Sequence, residues 1–392
     1  MEQAKTIKGF RDFIGPEALK REAIKQLLIK KFKAYGFIPA ETPIIEFEEF
    51  VKGSNQQDEA ISDIFKLKDK GDRELALRYE FTFQLKRLTQ GKRLPFRRYQ
   101  IGEVFRDEPI STNRFRQFTQ CDVDVIGSTA RDEAEILKLF SEIFKENGID
   151  ATVFINNRKL LNEILDEQGI NDKGRKEQII REIDKLDKLS ESEVKDNLKK
   201  FGAEKLLNLF KKPEEYFKKY ESYKEIKELK DFCRAYSIKV EFSPTLARGL
   251  SYYTGSIFEI KLKGMRESIA GGGSYQINNV QSTGISFSIE RLASLSNVKG
   301  QGVKCIIISI GQDKEQDRES IKLAQVLREK SISCFIMDKI SKALDYANQE
   351  QIPYVIFLGK DEIKKKKAKL RDMKTGKEEF LAEPALIKKL SQ

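Results

Sequence analysis

The chain has no histidine and no tryptophan among its 392 residues. Without histidine, a Ser-His-Asp triad, a Cys-His dyad, a His-ligated zinc and a histidine general base are all excluded. Any chemistry must run on carboxylates, arginine, lysine, tyrosine, cysteine, backbone groups or a bound ion. The four cysteines (Cys121, Cys233, Cys305 and Cys334) are dispersed and form no C-x-x-C pair. That spacing speaks against a disulfide framework or a zinc ribbon and fits a reducing, cytoplasmic setting. No apolar run approaches the ~20 residues of a membrane span. The first segment, MEQAKTIKGFRDF, lacks the apolar stretch of a signal peptide, so no membrane association is expected.

Charge, by contrast, is abundant. Lys plus Arg number 73 against 62 Asp plus Glu, a formal net charge of +11. The excess suits a polyanionic partner, nucleic acid first, although a lysine-rich solvated surface would give the same count. The excess is not even along the chain. Residues 302–392 hold 19 basic and 14 acidic residues, and 157–235 hold 20 and 18.

Three regions follow from composition and length. Residues 1–156, continued by 236–300, mix strand-like and helical patterns with most of the glycines. Residues 157–235 interleave charges with apolar pairs at helical spacing, as in Leu160, Leu161, Ile164 and Leu165. They read as a charged helical insertion. In 302–392, VKCIIISI, SISCFIM and PYVIFLG alternate with helical runs, which implies a small α/β unit with a parallel or mixed sheet. Its basic run KKKKAKLR (364–371) lies beside an expected hairpin at Thr375-Gly376.

Four segments carry chemical information. KGFRDFIGPE leads into a helix over about 17–34 and then GFIPAETPIIE, an ordinary helix–strand unit by itself. ELALRYEFTF (74–83) reads as a strand with Arg78, Glu80 and Thr82 on one face, either a ligand-facing set or a solvated edge. RRYQIGEVFRDEPISTNRFRQFTQCDVDVIG (97–127) reads as two strands about a polar turn at 109–113. Arg106 and Glu108 share a face of the first strand; Phe118, Gln120, Asp122 and Asp124 share a face of the second. An arginine, carboxylates, an amide and an aromatic ring aligned together suit a ligand with phosphate, a flat base and an amino group. Arg97, Arg98, Arg106, Arg114 and Arg116 are expected around it, arginine being suited to bidentate phosphate contacts. The fourth segment is LARGLSYYTGSIFEI (246–260), AGGGSYQ (270–276) and GISFSIERL (284–292). Three glycines after a strand pattern allow a ligand or a facing element to approach closely.

Together these segments resemble the class II aminoacyl-tRNA synthetases, and within them the histidyl-tRNA synthetase family, in order over nearly the whole chain. The helix plus ETPIIE is similar to motif 1, EVFRDE with RFRQF to motif 2, and GISFSIERL to motif 3. LARGLSYYTGSIFE and AGGGSY resemble the two histidyl signatures. The resemblance implies an α+β catalytic domain with an antiparallel sheet (1–156 and 236–300), a helical insertion (157–235) and a C-terminal α/β anticodon-binding-like domain (302–392). It implies a homodimer in the cytoplasm that joins histidine to the 3′ end of tRNA(His), using ATP with Mg2+ on its phosphates and no metal held by protein side chains.

The resemblance also assigns roles. Arg106 and Arg248 flank the α-phosphate as the catalytic pair. Glu108 and Phe118 place adenine, and Arg114 and Arg291 hold the outer phosphates. Glu80, Thr82 and Gln120 bind the amino group of histidine, while Asp124, Tyr252 and Tyr253 surround its ring. Lys364, Lys365, Lys366 and Lys367 meet tRNA. Departures from the family pattern stand at Ser251, Ser274, Gln276 and Ser288. They are compatible with a salt-bridge network lost as a unit or with a non-catalytic paralogue that regulates histidine biosynthesis or binds RNA. Retention of Arg106 and Arg248 favours the enzyme. Adenylate chemistry needs no protein histidine, because the substrate carboxylate is itself the nucleophile, and a chain free of histidine can be made while histidine is scarce.

Overall fold

The computed structural model describes residues 5–53, 59–110, 114–249, 252–263, 268–311 and 314–391. Ser251 and the tip of the expected 109–113 turn lie outside these described residues. The chain forms two compact units, one of residues 1–12 and 24–298, the other of 13–23 and 299–392.

In the first unit the strands are β1 (Ile38–Pro39), β2 (Ile45–Phe47), β3 (Lys66–Lys68), β4 (Glu74–Leu77), β5 (Phe96–Phe105) and β6 (Gln117–Ile126). They continue with β7 (Ala151–Asn157), β8 (Val240–Phe242), β9 (Tyr253–Leu262), β10 (Ser268–Ile277) and β11 (Val280–Ser288). Eight of them form one sheet in the order β1-β5-β6-β11-β10-β9-β7-β8. The six central strands pair antiparallel, and only the edges β1 and β8 pair parallel. β2, β4 and β3 make a separate small sheet.

The period of two along β6 sorts its residues onto two faces. Cys121, Val123 and Val125 enter the main apolar core, while Phe118, Gln120, Asp122 and Asp124 line a cavity on the other face. Helix Ala130–Glu146 covers the apolar face, with Phe140 and Phe144 set edge-on to Phe287 at 5.5 and 6.2 Å. Its start is fixed by a capping box in which Thr129 and Asp132 satisfy each other's backbone and side chain, as the first-turn amides require. One sheet face is therefore oil and the other is free for polar work.

Between β7 and β8 the chain runs through a series of helices joined by turns, from Arg158 to Ala235. Leu160, Leu161, Ile164, Leu165, Ile179, Ile180 and Ile183 are buried at helical spacing, so each helix hides a narrow stripe and leaves its charges outside.

One expectation is corrected here. The strand expected over 74–83 ends at Leu77. Beyond it both parities are buried, Arg78 and Glu80 as well as Tyr79 and Phe81. The Arg78 side chain turns inward to donate to the carbonyls of Glu103 (2.7 Å) and Thr42 (2.6 Å). The glycine triplet follows β9, as expected, and lies within the next strand, β10.

The second unit has β12 (Cys305–Ser309), β13 (Cys334–Met337), β14 (Tyr354–Leu358), β15 (Ala368–Asp372) and β16 (Glu378–Leu381). The order is β13-β12-β14-β15-β16. The first three are parallel and the last two antiparallel. β12 is apolar on both faces, Ile307 packing into one core and Ile306 and Ile308 into the other, as a strand covered on both sides must be.

Candidate active site

A cavity of about 820 Å3 opens over the polar face of the large sheet, within the roughly 300–1,000 Å3 usual for small-molecule sites. All twelve side chains assigned to ATP and histidine line it: Glu80, Thr82, Arg106, Glu108, Arg114, Phe118, Gln120, Asp124, Arg248, Tyr252, Tyr253 and Arg291. Of the five arginines expected around the hairpin, only Arg106 and Arg114 are on this wall. Arg97 instead pairs with Asp132 and Glu135 beside Phe37, Arg98 is buried beneath the floor, and Arg116 pairs with Asp107 at 3.0 Å. Arg106 and Glu108 follow β5 rather than belong to it.

Each wall has a local cause. Arg106 donates to the carbonyl of Tyr79 (3.1 Å) and to Gln120 Oε1 (3.3 Å), with its guanidinium 5.1 Å from the centre of the Phe118 ring. The Gln120 amide in turn donates to Asp122 Oδ1 at 2.9 Å, which fixes the orientation of the amide. Glu108 sits between Arg106 and Arg114, at 4.0 and 3.8 Å. Arg248 rides on a loop held by Asn156, which donates to the carbonyls of Pro244 and Leu246, and by Arg158, which donates to Arg248's own carbonyl. Its guanidinium occupies the space over Gly271, where a Cβ would stand 1.8 Å from Nη1. Glycine leaves the guanidinium its place there, since a Cβ would push it aside. Gly284 does the same for Asp124, its register partner on β6, with 2.1 Å from a Cβ to Oδ1.

Arg291 is aimed by the N-cap of helix Ile289–Leu295. Ser288 Oγ accepts from the Arg291 amide (3.2 Å) and donates to Glu290 (2.9 Å), whose carboxylate accepts from the Thr119 amide of β6. The departure at Ser288 is thus a helix cap. Ser274, another departure, is buried and donates to Glu133, whose carboxyl is pushed up by burial; Gln276 is exposed.

Under the floor, Asp124 pairs with the fully buried Arg98 at 2.8 Å and accepts from the Tyr275 hydroxyl. Asp122 is pushed up to about 8, chiefly by burial, with Arg98 opposing. Burial also raises Asp124, again opposed by Arg98. One arginine thus serves two carboxyls.

The family model for histidyl-tRNA synthetase matches residues 9–292, and that for the anticodon-binding domain matches 304–392. The chain belongs to the histidyl-tRNA synthetase family. A histidine–tRNA ligase of Bacillus cereus is 34% identical, the alignment covering 96% of this chain and 97% of that protein. One from Wolinella succinogenes is 32% identical over 95% and 94%. The crystal structure of histidyl-tRNA synthetase from Nostoc sp. PCC 7120 superposes with a TM-score of 0.85 at 25% identity, covering 99% of this chain and 98% of that one. A Bacillus halodurans structure described as an ATP phosphoribosyltransferase regulatory subunit/histidyl-tRNA synthetase shares the fold, with a TM-score of 0.76 at 21% identity over 92% and 99%.

Sequence reasoning toward this family missed one whole wall. Arg181, Asp184, Lys185, Asp187 and Lys188, all from the helical insertion, line the cavity beside Arg248. In a segment so dense in charge, these five look like any solvated helix face. Glu259 was also missed. It is a buried carboxylate on β9 that accepts from Arg248 Nη1 at 3.1 Å, and its place within an apolar strand (SIFEI) was the available signal. Among the described residues no three His, Cys, Asp or Glu side chains are grouped to hold a metal ion, and no helix is long and apolar enough to cross a membrane.

Proposed function

We propose that the cavity binds ATP and histidine together and that the chain is an active histidine–tRNA ligase. The observation that carries this is the convergence of Arg106, Arg114, Arg248 and Arg291 with Glu80, Gln120 and the two tyrosines on one wall system. In the first step the histidine carboxylate oxygen attacks the α-phosphorus of ATP, an O–P bond forms, and pyrophosphate leaves with the bonding pair. Two anions must approach, so the site needs fixed positive charge around a transition state that spreads negative charge over its oxygens. Arg106 and Arg248 supply it at the α-phosphate, and Arg114 and Arg291 take the outer phosphates. Mg2+ would come with the ATP phosphates and add positive charge there beside Arg114 and Arg291. Phe118 and Glu108 hold adenine. Glu80, Thr82 and Gln120 accept the ammonium group. Asp124, Tyr252 and Tyr253 offer polar partners to the imidazole ring, a form of recognition that rejects isosteres lacking its nitrogens.

Transfer to the 3′ end of tRNA(His) follows, and the setting is cytoplasmic. Exposed Ile38, Ile44, Ile45 and Phe47, in and beside the motif 1-like segment, support a homodimer closed through that face, since clustered apolar surface marks interfaces. Exposed Lys364, Lys365, Lys366 and Lys367 meet the tRNA backbone. Neutralising all four is expected to weaken tRNA binding and flatten its salt dependence while pyrophosphate exchange stays at the wild-type rate. Unchanged tRNA affinity would remove them from the interface. The function itself is tested by ATP–pyrophosphate exchange against each of the twenty amino acids, followed by charging of tRNA(His). Exchange with histidine alone is expected; its absence in folded protein with Mg2+ overturns the reading.

A further inference from the structure

Arg248 is joined to the helical insertion by an unbroken line of alternating charge. Its Nη1 donates to Glu259 Oε1 at 3.1 Å. The other oxygen of Glu259 lies 3.2 Å from Lys261 Nζ. Lys261 Nζ also donates to both oxygens of Asp187, at 2.7 and 2.9 Å. Glu259 and Lys261 belong to β9, whereas Asp187 belongs to the 3-10 turn (Lys185–Asp187) that follows helix Lys173–Asp184 of the insertion. Asp184 lies 3.1 Å from where a Cβ on Gly249 would stand. Burial pushes its carboxyl up to about 6, with Arg248 the largest opposing influence.

The arrangement bears on what an arginine must do at a reacting phosphate. A flexible cation stabilises a transition state only as far as it is already aimed there. Glu259 has two oxygens, and without Lys261 either could engage Arg248, giving two orientations of the guanidinium. Lys261 draws Oε2 to itself as an ion pair without a hydrogen bond and leaves Oε1 for Arg248. Lys261 is held in its turn by Asp187. We propose that Asp187 is a positioning residue which, through Lys261 and Glu259, fixes Arg248, so that adenylate formation depends on the insertion being docked. This rests on the placement of Arg248 at the α-phosphate given above.

The test is steady-state histidine-dependent pyrophosphate exchange by the full chain. Asp187→Asn and Lys261→Met are each expected to lower kcat about tenfold to a hundredfold, with KM for histidine within about twofold of wild type. The double variant should be no worse than the poorer single, because both break one line. Lys261→Arg, which can still bridge two carboxylates, should keep most of the rate. Lys199→Met, which removes an exposed pair with Asp196 elsewhere in the insertion, serves as the control with wild-type kcat. Thermal melts of all variants separate lost aim from lost fold. Wild-type kcat in both single variants, losses that multiply in the double, or losses shared equally by the control overturn the relay. An inactive wild-type chain overturns the function itself and the relay with it.

Discussion

Arg248→Ala is expected to lose histidine-dependent pyrophosphate exchange by at least about a thousandfold while melting close to wild type. Removing one preorganised donor from a developing oxyanion typically costs about 10²–10³ in rate, and Arg248 brings a full charge as well as donors. The fold should tolerate the change for local reasons. The loop is held by Asn156 and Arg158 through backbone carbonyls, not through the Arg248 side chain. The partner left behind, Glu259, keeps Lys261 at 3.2 Å, so its charge is not stranded. Arg248→Lys should recover only part of the rate, since an ammonium cannot offer a planar fork to Glu259 and a phosphate oxygen together. Gly271→Ala provides the complementary test, because its methyl group would take the place of Nη1 and turn the guanidinium away without deleting it. Normal exchange in Arg248→Ala would remove this residue from the α-phosphate and redirect attention to Arg106 alone.

The contrast between Gln120 and Arg98 shows how far pattern carries. Alternation along 117–126 sorts Phe118, Gln120, Asp122 and Asp124 to one face, and β6 keeps that sorting from Phe118 to Asp124. The same rule applied to 74–83 fails beyond Leu77, where the Arg78 side chain is buried against two carbonyls that are distant in sequence. Glu80 and Thr82 still reach the cavity, by a bend rather than by strand parity. Arg98 shares its composition with Arg97 next door, yet one is buried under the site and the other joins helix Ala130–Glu146 through Asp132 and Glu135. Local sequence does not separate them, since what decides is which face of β5 meets β6's carboxylates. Likewise Asp187 becomes a wall of the cavity only when 157–235 folds back on β9. Motifs carried by a single hairpin were legible, whereas partners supplied from elsewhere in the chain were not.

Arg98→Met is expected to give the largest loss of stability, and the loss should depend on pH. Arg98 is fully buried, stands opposite Asp124 in the β5–β6 register and pairs with it at 2.8 Å. Deleting one partner of a buried pair leaves an uncompensated charge and costs about 3–5 kcal/mol, a fall in Tm on the order of 10 °C for a unit of this size. Asp122 and Asp124 already titrate above the ordinary carboxylate range because they are buried, and Arg98 is the influence that restrains both. Without it both pKa values rise further in the folded protein and not in the unfolded chain. A folded-state pKa above the unfolded one means the native state holds the proton more tightly. Stability is then present at low pH and is lost as pH climbs toward the folded value. The deficit of Arg98→Met should therefore be larger near about pH 9 than near about pH 6, on either side of the value of about 8 to which burial lifts Asp122, because the buried carboxyls of the folded protein take up protons as pH falls. Asp124→Asn added to Arg98→Met should restore part of the loss at the higher pH and little at the lower. Calorimetric melts of the three proteins at both values decide it. A deficit of equal size at the two pH values would mean that packing volume, not the charge shared by Asp122 and Asp124, is what Arg98 supplies beneath the site.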